Sequence, residues 1–272
     1  MTVIRTLIQR RPLLWFIVLT FVPAWTYELV CILLLRLPFL PWMFAAPFIG
    51  PAAAAFVVTA AVDGRRGVRD LLSKLTRWRV GAGWYLLVVL GSPALLMLCV
   101  LPVPGAVTAF RPSLAALPEY VLLYLVVLIL GGPLGEEPGW RCFATPRLQQ
   151  RFGPAGGTLI LGLLWAAWHL PLSLIEGYNH AGADLRGILV PFLVFTGFVV
   201  AVSFPFTWIA NRTQDSGPIA VLLHTSFNAS LLPVLFPDVP DSLHYELIQV
   251  IALSLLATVT LACTRGRLGY DK

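Results

Sequence analysis

Charge is scarce in this chain. Only 12% of its 272 residues are Asp, Glu, Lys or Arg, about half the share usual in a soluble domain, and that excludes a soluble globular enzyme. Cysteine is scarce too. The four, Cys31, Cys99, Cys142 and Cys263, are far apart and show neither CxxC nor zinc-finger spacing, which excludes a disulfide scaffold and reads them as small packing residues. No Gly-X-Y period or heptad repeat runs through the sequence. The basic residues lie beside apolar runs rather than on a free basic domain, so nucleic acid is excluded as a partner. What the chain does have is apolar surface: 58% of residues are hydrophobic, and the mean hydropathy is +0.83. Such a composition belongs in a lipid bilayer.

A hydrocarbon core of ~30 Å takes about 20 apolar residues per helix. Runs of roughly that kind fall at positions 13–35, 39–62, 84–103, 120–134, 159–175, 188–210, 219–236 and 247–263. The sequence therefore predicts an all-α polytopic membrane protein, a bundle of about eight transmembrane helices forming one membrane domain over 1–272. The first run follows Arg5, Arg10 and Arg11 as a signal peptide would. Its length and the lack of a small-x-small cleavage site read it as a retained signal anchor.

Basic residues set the orientation. With the N-terminus cytoplasmic and eight spans, every Lys and Arg except Arg36, Arg111 and Arg186 falls on the cytoplasmic side. Glu119, Glu176, Asp184, Asp238, Asp241 and Glu246 then face outward. Both termini are thus expected in the cytoplasm and the chain in the plasma membrane. The stretch 63–80 carries Leu71, Leu72, Leu75 and Trp78 at helical spacing among six basic residues, a pattern expected to lie on the inner leaflet.

Polar groups held inside a bilayer are costly and mark function. Three clusters qualify: Gly135-Glu136-Glu137-Pro138-Gly139-Trp140-Arg141, Trp165-Ala166-Ala167-Trp168-His169, and His224-Thr225-Ser226-Phe227-Asn228. Adjacent carboxylates in an apolar setting cannot easily both ionise, which suits one of them to accept and return a proton. Arg141, four residues past Glu137, can hold the other as an ion. The Gly131-Gly132-Pro133 run predicts a break, and Pro138 predicts that the helix restarts only there, leaving both glutamates on irregular backbone. Trp165 and His169 share a helical face about 18 Å into their span, counted at ~1.5 Å per residue. His224 and Asn228 share another, at a depth that overlaps His169. Two neutral donors aimed at one point suit an oxyanion. Each cluster taken alone reads more readily as an interfacial acid pair or an interhelical hydrogen bond. Glu28, inside the first span, reads either as an acid or substrate contact near such a site or as a helix-pairing group.

Glu136-Glu137-xxx-Arg141, Trp165-xxx-His169 and His224-xxx-Asn228, in this order on successive apolar segments, resemble the motifs EExxxR, [FW]xxxH and HxxxN. These are the motifs of the CAAX-protease and bacteriocin-processing family of intramembrane endopeptidases, also called the Abi family. The resemblance covers roughly positions 120–236. Cys142 stands where a small residue often follows the arginine, and Trp165 where many members have Phe.

The resemblance implies peptide-bond hydrolysis with water as nucleophile. Glu136 would be general base with help from His169, His224 and Asn228 would hold the oxyanion, and Glu137, Arg141 and Trp165 would order the site. No cofactor is expected. The rival is a zinc protease with Glu136, His169 and His224 as ligands, a chemically acceptable set that lacks HExxH spacing. A serine or thiol mechanism on Ser226 or Cys142 lacks a nucleophile motif. Outside enzymes, the fold could serve as a membrane immunity factor or scaffold. A transporter would need paired broken repeats, which are not visible. The expected partners are the bilayer and a membrane-associated peptide or protein. The eukaryotic relatives process prenylated tails. The Arg-rich, short-looped character here looks bacterial, for which a small peptide precursor or a membrane helix is expected instead.

Overall fold

A computed structural model describes residues 3–37, 42–229, 231–236 and 242–271. The expected start of the second apolar run at position 39, and the outward carboxylates Asp238 and Asp241, lie outside the described residues. Among those described there is no strand. The expectation of an all-α polytopic membrane protein holds: among the described residues five helices are long and apolar enough to cross a bilayer, or six if a bent pair of helices is counted as one span.

The path begins with α1 (Val3–Arg10) and α2 (Pro12–Leu29), which a π-turn extends to Leu34. After a short 3₁₀ turn and a π-turn comes α3 (Ala53–Leu75), followed by α4 (Ala82–Leu98) and α5 (Leu117–Leu130). Then follow α6 (Pro133–Phe152), α7 (Pro154–Trp168), α8 (Leu185–Arg212), α9 (Gly217–Asn228) and α10 (Leu243–Cys263). All eight apolar runs found in the sequence are helical over most of their length. The third, however, gives a helix of only 17 residues and the seventh only 12, less than the hydrocarbon thickness requires. Three helix starts have side-chain caps: Asp184 accepts from the Gly187 amide, Ser216 from Ile219 and Ser242 from Tyr245. Each supplies an acceptor to an amide that has no carbonyl partner within its helix.

The break at Gly131-Gly132 is present, but the backbone after it is not irregular. Gly132 takes φ +100° and the chain bends by 45°, yet the helix restarts at Pro133, so both glutamates stand on α6 and not on the loop expected from Pro138. Two features let Pro138 sit inside a helix. A π-turn follows it at Trp140–Ala144, a local widening of the kind found beside helix kinks. In addition, the turn is clamped from behind. Gly135 and Gly139, one turn apart, lie directly on Pro47 and Pro51: a Cβ at Gly135 would come within 2.6 Å of the Pro47 Cβ, and one at Gly139 within 2.6 Å of both the Pro51 Cβ and its carbonyl oxygen. This is the small-xxx-small contact by which membrane helices approach backbone to backbone.

Gly139→Ala is therefore expected to destabilise the protein by about 1–3 kcal/mol through overpacking. Gly83→Ala, where a Cβ would meet nothing within 4 Å, is expected to be neutral. Thermal unfolding of both variants in detergent measures the contrast, and equal melting would refute the clamp.

Positively charged side chains gather at one end of the bundle, tying the helix ends together. Lys74 pairs with Asp215 at 2.7 Å and Arg147 with Asp63 at 3.1 Å. Gln149 and Asn211 exchange two hydrogen bonds, and Asn211 also donates to the Leu268 carbonyl, which holds buried Leu268 beneath the bundle. Three of the four cysteines are buried, as expected of packing residues, whereas Cys263 is exposed. No residue of α5 is buried. Its leucines and valines, with Leu122 at 64% exposure, present an apolar surface suited to lipid.

Candidate active site

α6, α7 and α9 each bring one of the three clusters to the middle of the bundle. From α6, Glu136 is 4% exposed and Glu137 fully buried. From α7, the Trp165 indole Nε1–H donates to Glu136 Oε2 at 2.7 Å. From α9, His224 Nδ1 meets Glu137 Oε1 at 2.8 Å. The two carboxylates are neighbours in sequence but lie about 100° apart around the helix axis, so each faces a different helix and has its own partner.

Arg141 lies one turn below Glu137, its Nε 3.6 Å from Glu137 Oε2. It is buried, and none of its three nitrogens has a hydrogen-bond partner. Its guanidinium instead lies against two rings, 4.4 Å from the Trp165 centroid and 5.0 Å from that of Phe206. A desolvated guanidinium held by ring faces keeps its positive charge close to the acid pair without a bidentate bond to either carboxylate. Arg141 thus supports the pair through charge, and Trp165 links all three groups.

His169 ends α7. Its Nδ1 lies 2.9 Å from the Trp165 carbonyl oxygen, a contact that makes Nδ1 the protonated nitrogen of a neutral ring and leaves Nε2 as an acceptor. Its ring stands edge-on to Trp168 and Phe195. His169, Trp165, His224 and Asn228 line one cavity of about 290 Å³. All seven residues singled out in the sequence, Glu136, Glu137, Arg141, Trp165, His169, His224 and Asn228, therefore belong to one connected cluster. The acids lie behind the wall, and the histidines and Asn228 form its face.

The sequence did not mark the rest of the lining. Phe195, Phe198 and Phe227 form an apolar wall, and Tyr178, Glu246 and Gln249 a polar one. A phenylalanine facing a cavity and one facing lipid read alike within an apolar run. Glu246, expected only as an outward-facing loop acid, lies in the first turn of α10 and carries one edge of the cavity. Tyr178 sits in a turn beyond the end of the fifth span. Desolvation, followed by the carboxylates Glu136 and Glu28, pushes its phenol well above the usual range, so it remains a neutral O–H.

The donor set also allows a test for metal binding. Among the described residues, no three His, Cys, Asp or Glu side chains are grouped so as to hold a metal ion.

Comparison with known proteins agrees with the motifs. Residues 118–230 match a family model described as Rce1-like, type II CAAX prenyl endopeptidase. A curated relative, CAAX prenyl protease 2 of Methanococcus maripaludis, is 24% identical over 144 residues, 52% of this chain and 53% of that protein, so the match spans about half of each. All three motifs lie inside the matched segment. The resemblance first read from Glu136-Glu137-xxx-Arg141, Trp165-xxx-His169 and His224-xxx-Asn228 is thus found again by comparison, and residues 118–230 of this chain are similar to the Rce1-like type II CAAX prenyl endopeptidases.

Proposed function

We propose that the protein is an intramembrane endopeptidase that hydrolyses a peptide bond of a membrane-associated peptide or protein through a glutamate-activated water. One observation carries the reading: two buried carboxylates, each with its own hydrogen-bond donor, stand behind a cavity faced by two histidines and an amide. Glu136 is the general base. Glu137 is occupied by His224 and Arg141, whereas Glu136 has a single indole donor and is the more exposed of the two.

In the reaction, water held between Glu136 and His169 gives its proton to Glu136 as its oxygen bonds to the scissile carbonyl carbon. The carbonyl oxygen becomes an oxyanion, which accepts hydrogen bonds from His224 Nε2–H and the Asn228 amide. The proton on Glu136 then passes to the leaving amine as the C–N bond breaks. No covalent enzyme intermediate forms, and no cofactor is required.

The same reading sets both termini in the cytoplasm of a plasma-membrane protein, supported by the basic pairs that gather at one end of the bundle. The substrate is a membrane-associated peptide. The name of the Methanococcus maripaludis relative, CAAX prenyl protease 2, adds a prenylated peptide as a second substrate class to be tried.

The test is hydrolysis of quenched peptides by purified protein in lipid nanodiscs, with prenylated-tail and unmodified membrane peptides in parallel, each with and without a strong chelator. Cleavage that survives the chelator is expected. Loss on chelation with rescue by zinc would replace the glutamate mechanism with a metal one. No cleavage in either arm would favour a binding role for the fold.

A further inference from the structure

We propose that the catalytic cavity is loaded from the outer side of the membrane, so that the substrate is a peptide chain presented on that side. This deepens the protease reading and rests on it, and on the basic end of the bundle being cytoplasmic.

The helix ends fix where the cavity lies. The basic end gathers the C-terminal ends of α3, α6 and α8 and the start of α9: Lys74 pairs with Asp215, Gln149 with Asn211, and a Cβ at Gly217 would come within 2.8 Å of the Leu75 Cα. α7 also starts there, because a Cβ at Gly157 would meet the Leu148 backbone at 2.6 Å. The cavity takes the opposite ends of the same helices. His169 caps the C-terminus of α7, Asn228 ends α9, Glu246 and Gln249 stand in the first two turns of α10, and Tyr178 belongs to the connection from α7 to α8.

Only one of these ends offers a way in. At the mouth, Asn228 is exposed, Tyr178 and Gln249 are partly so, and His180 and Glu246 face each other at 3.6 Å with 26% and 19% of their side chains open. Toward the basic end, the next turns of the helices form a closed floor: Arg141, Thr158, Leu161, Thr207 and Ile219 are each at most 1% exposed. The three clefts around Lys74 share no lining residue with the cavity. A close-packed layer of this kind does not pass a peptide with its unpaired backbone groups. Basic residues hold their end of a bundle in the cytoplasm. At the other end, Arg36, Arg111 and Arg186 stand among Glu119, Glu176, Asp184 and Glu246, so the mouth faces outward. A chain presented in the cytoplasm meets only the closed basic face.

The experiment labels single cysteines with a membrane-impermeant maleimide in spheroplasts and in inverted vesicles, and needs no substrate. Cys263→Ser silences the exposed native thiol, the other three being buried. In that background the reporters are Gln249→Cys inside the cavity, His244→Cys on the exposed surface beside the mouth, and Gln150→Cys on the exposed basic face. Gln249→Cys and His244→Cys are expected to label in spheroplasts and Gln150→Cys only in inverted vesicles. His244→Cys labelling only in inverted vesicles would overturn the orientation. Gln249→Cys that stays unlabelled while His244→Cys labels, or that labels from the basic side, would overturn the outward mouth. If the quenched peptides are cleaved, a membrane-impermeant one should be hydrolysed by spheroplasts and spared by inverted vesicles until detergent opens them. The reverse pattern would overturn the proposal and leave the protease reading intact. Outward labelling without cleavage would overturn the protease reading alone and leave an outward-facing binding cavity.

Discussion

Glu136→Gln is expected to lower kcat by roughly 10³-fold, within the range that a positioned general base contributes, and to leave the protein folded. The amide has almost the same shape as the carboxylate, and its carbonyl oxygen can still accept the Trp165 indole N–H that now reaches Glu136 Oε2 at 2.7 Å. What it lacks is an anion able to take a proton from water. The loss should therefore appear in kcat with KM little changed, because an interaction made only in the transition state is removed. The measurement is steady-state cleavage of whichever peptide the wild type accepts, together with melting temperatures of the two proteins. A Glu136→Gln protein retaining more than a tenth of wild-type kcat would move the base to Glu137. The same assay on Glu137→Gln would then show the larger loss.

The second large effect is expected at His224, and it differs in kind. His224→Ala removes an oxyanion donor, worth about 10²–10³ in kcat, and also strips Glu137 of its 2.8 Å partner. Glu137 is fully buried, and its other neighbour, Arg141 Nε, stands 3.6 Å away. Leaving a buried polar group without its hydrogen-bond partner costs about 1–3 kcal/mol, so this variant should melt lower as well as turn over slowly. Asn228→Ala provides the control. Asn228 is exposed to the cavity and touches neither carboxylate in a hydrogen bond. It should therefore lose kcat to a similar degree without a fall in melting temperature. If His224→Ala melts like wild type, the Glu137–His224 pair is not holding the helices α6 and α9 together. If Asn228→Ala turns over like wild type, the oxyanion is held elsewhere.

These expectations draw on different sources. That the chain lies in a membrane followed from the scarcity of charge, because a bilayer excludes ionised groups whatever the fold. The same exclusion exposed the site: Glu136, Glu137, His169, His224 and Asn228 stand out because polar side chains inside apolar runs are rarely there without a reason. The convergence of His169 with His224 and Asn228 was legible from depth, since these were read on helices of known rise and their depths overlapped, whereas the glutamates joined them only through the order of the motifs.

The pairing of groups was not legible. Glu136 and Glu137 are equivalent in sequence, and only the placement of α6 against α7 and α9 turns the first toward Trp165 and the second toward His224. Pro138 pointed to irregular backbone. Helix won because Gly135 and Gly139 let the chain lie flat on Pro47 and Pro51, a contact between segments more than 80 residues apart that no local pattern encodes. The phenylalanine wall of the cavity was hidden for a related reason, because lipid and protein interior are equally apolar and an inward Phe has the same periodicity as an outward one. The sequence by itself thus determined the solvent this protein lives in and the side chains that pay for being there. The tertiary structure decided which of them share a proton, a charge or a cavity, because those relations depend on distances between helices and not on spacing along any one of them.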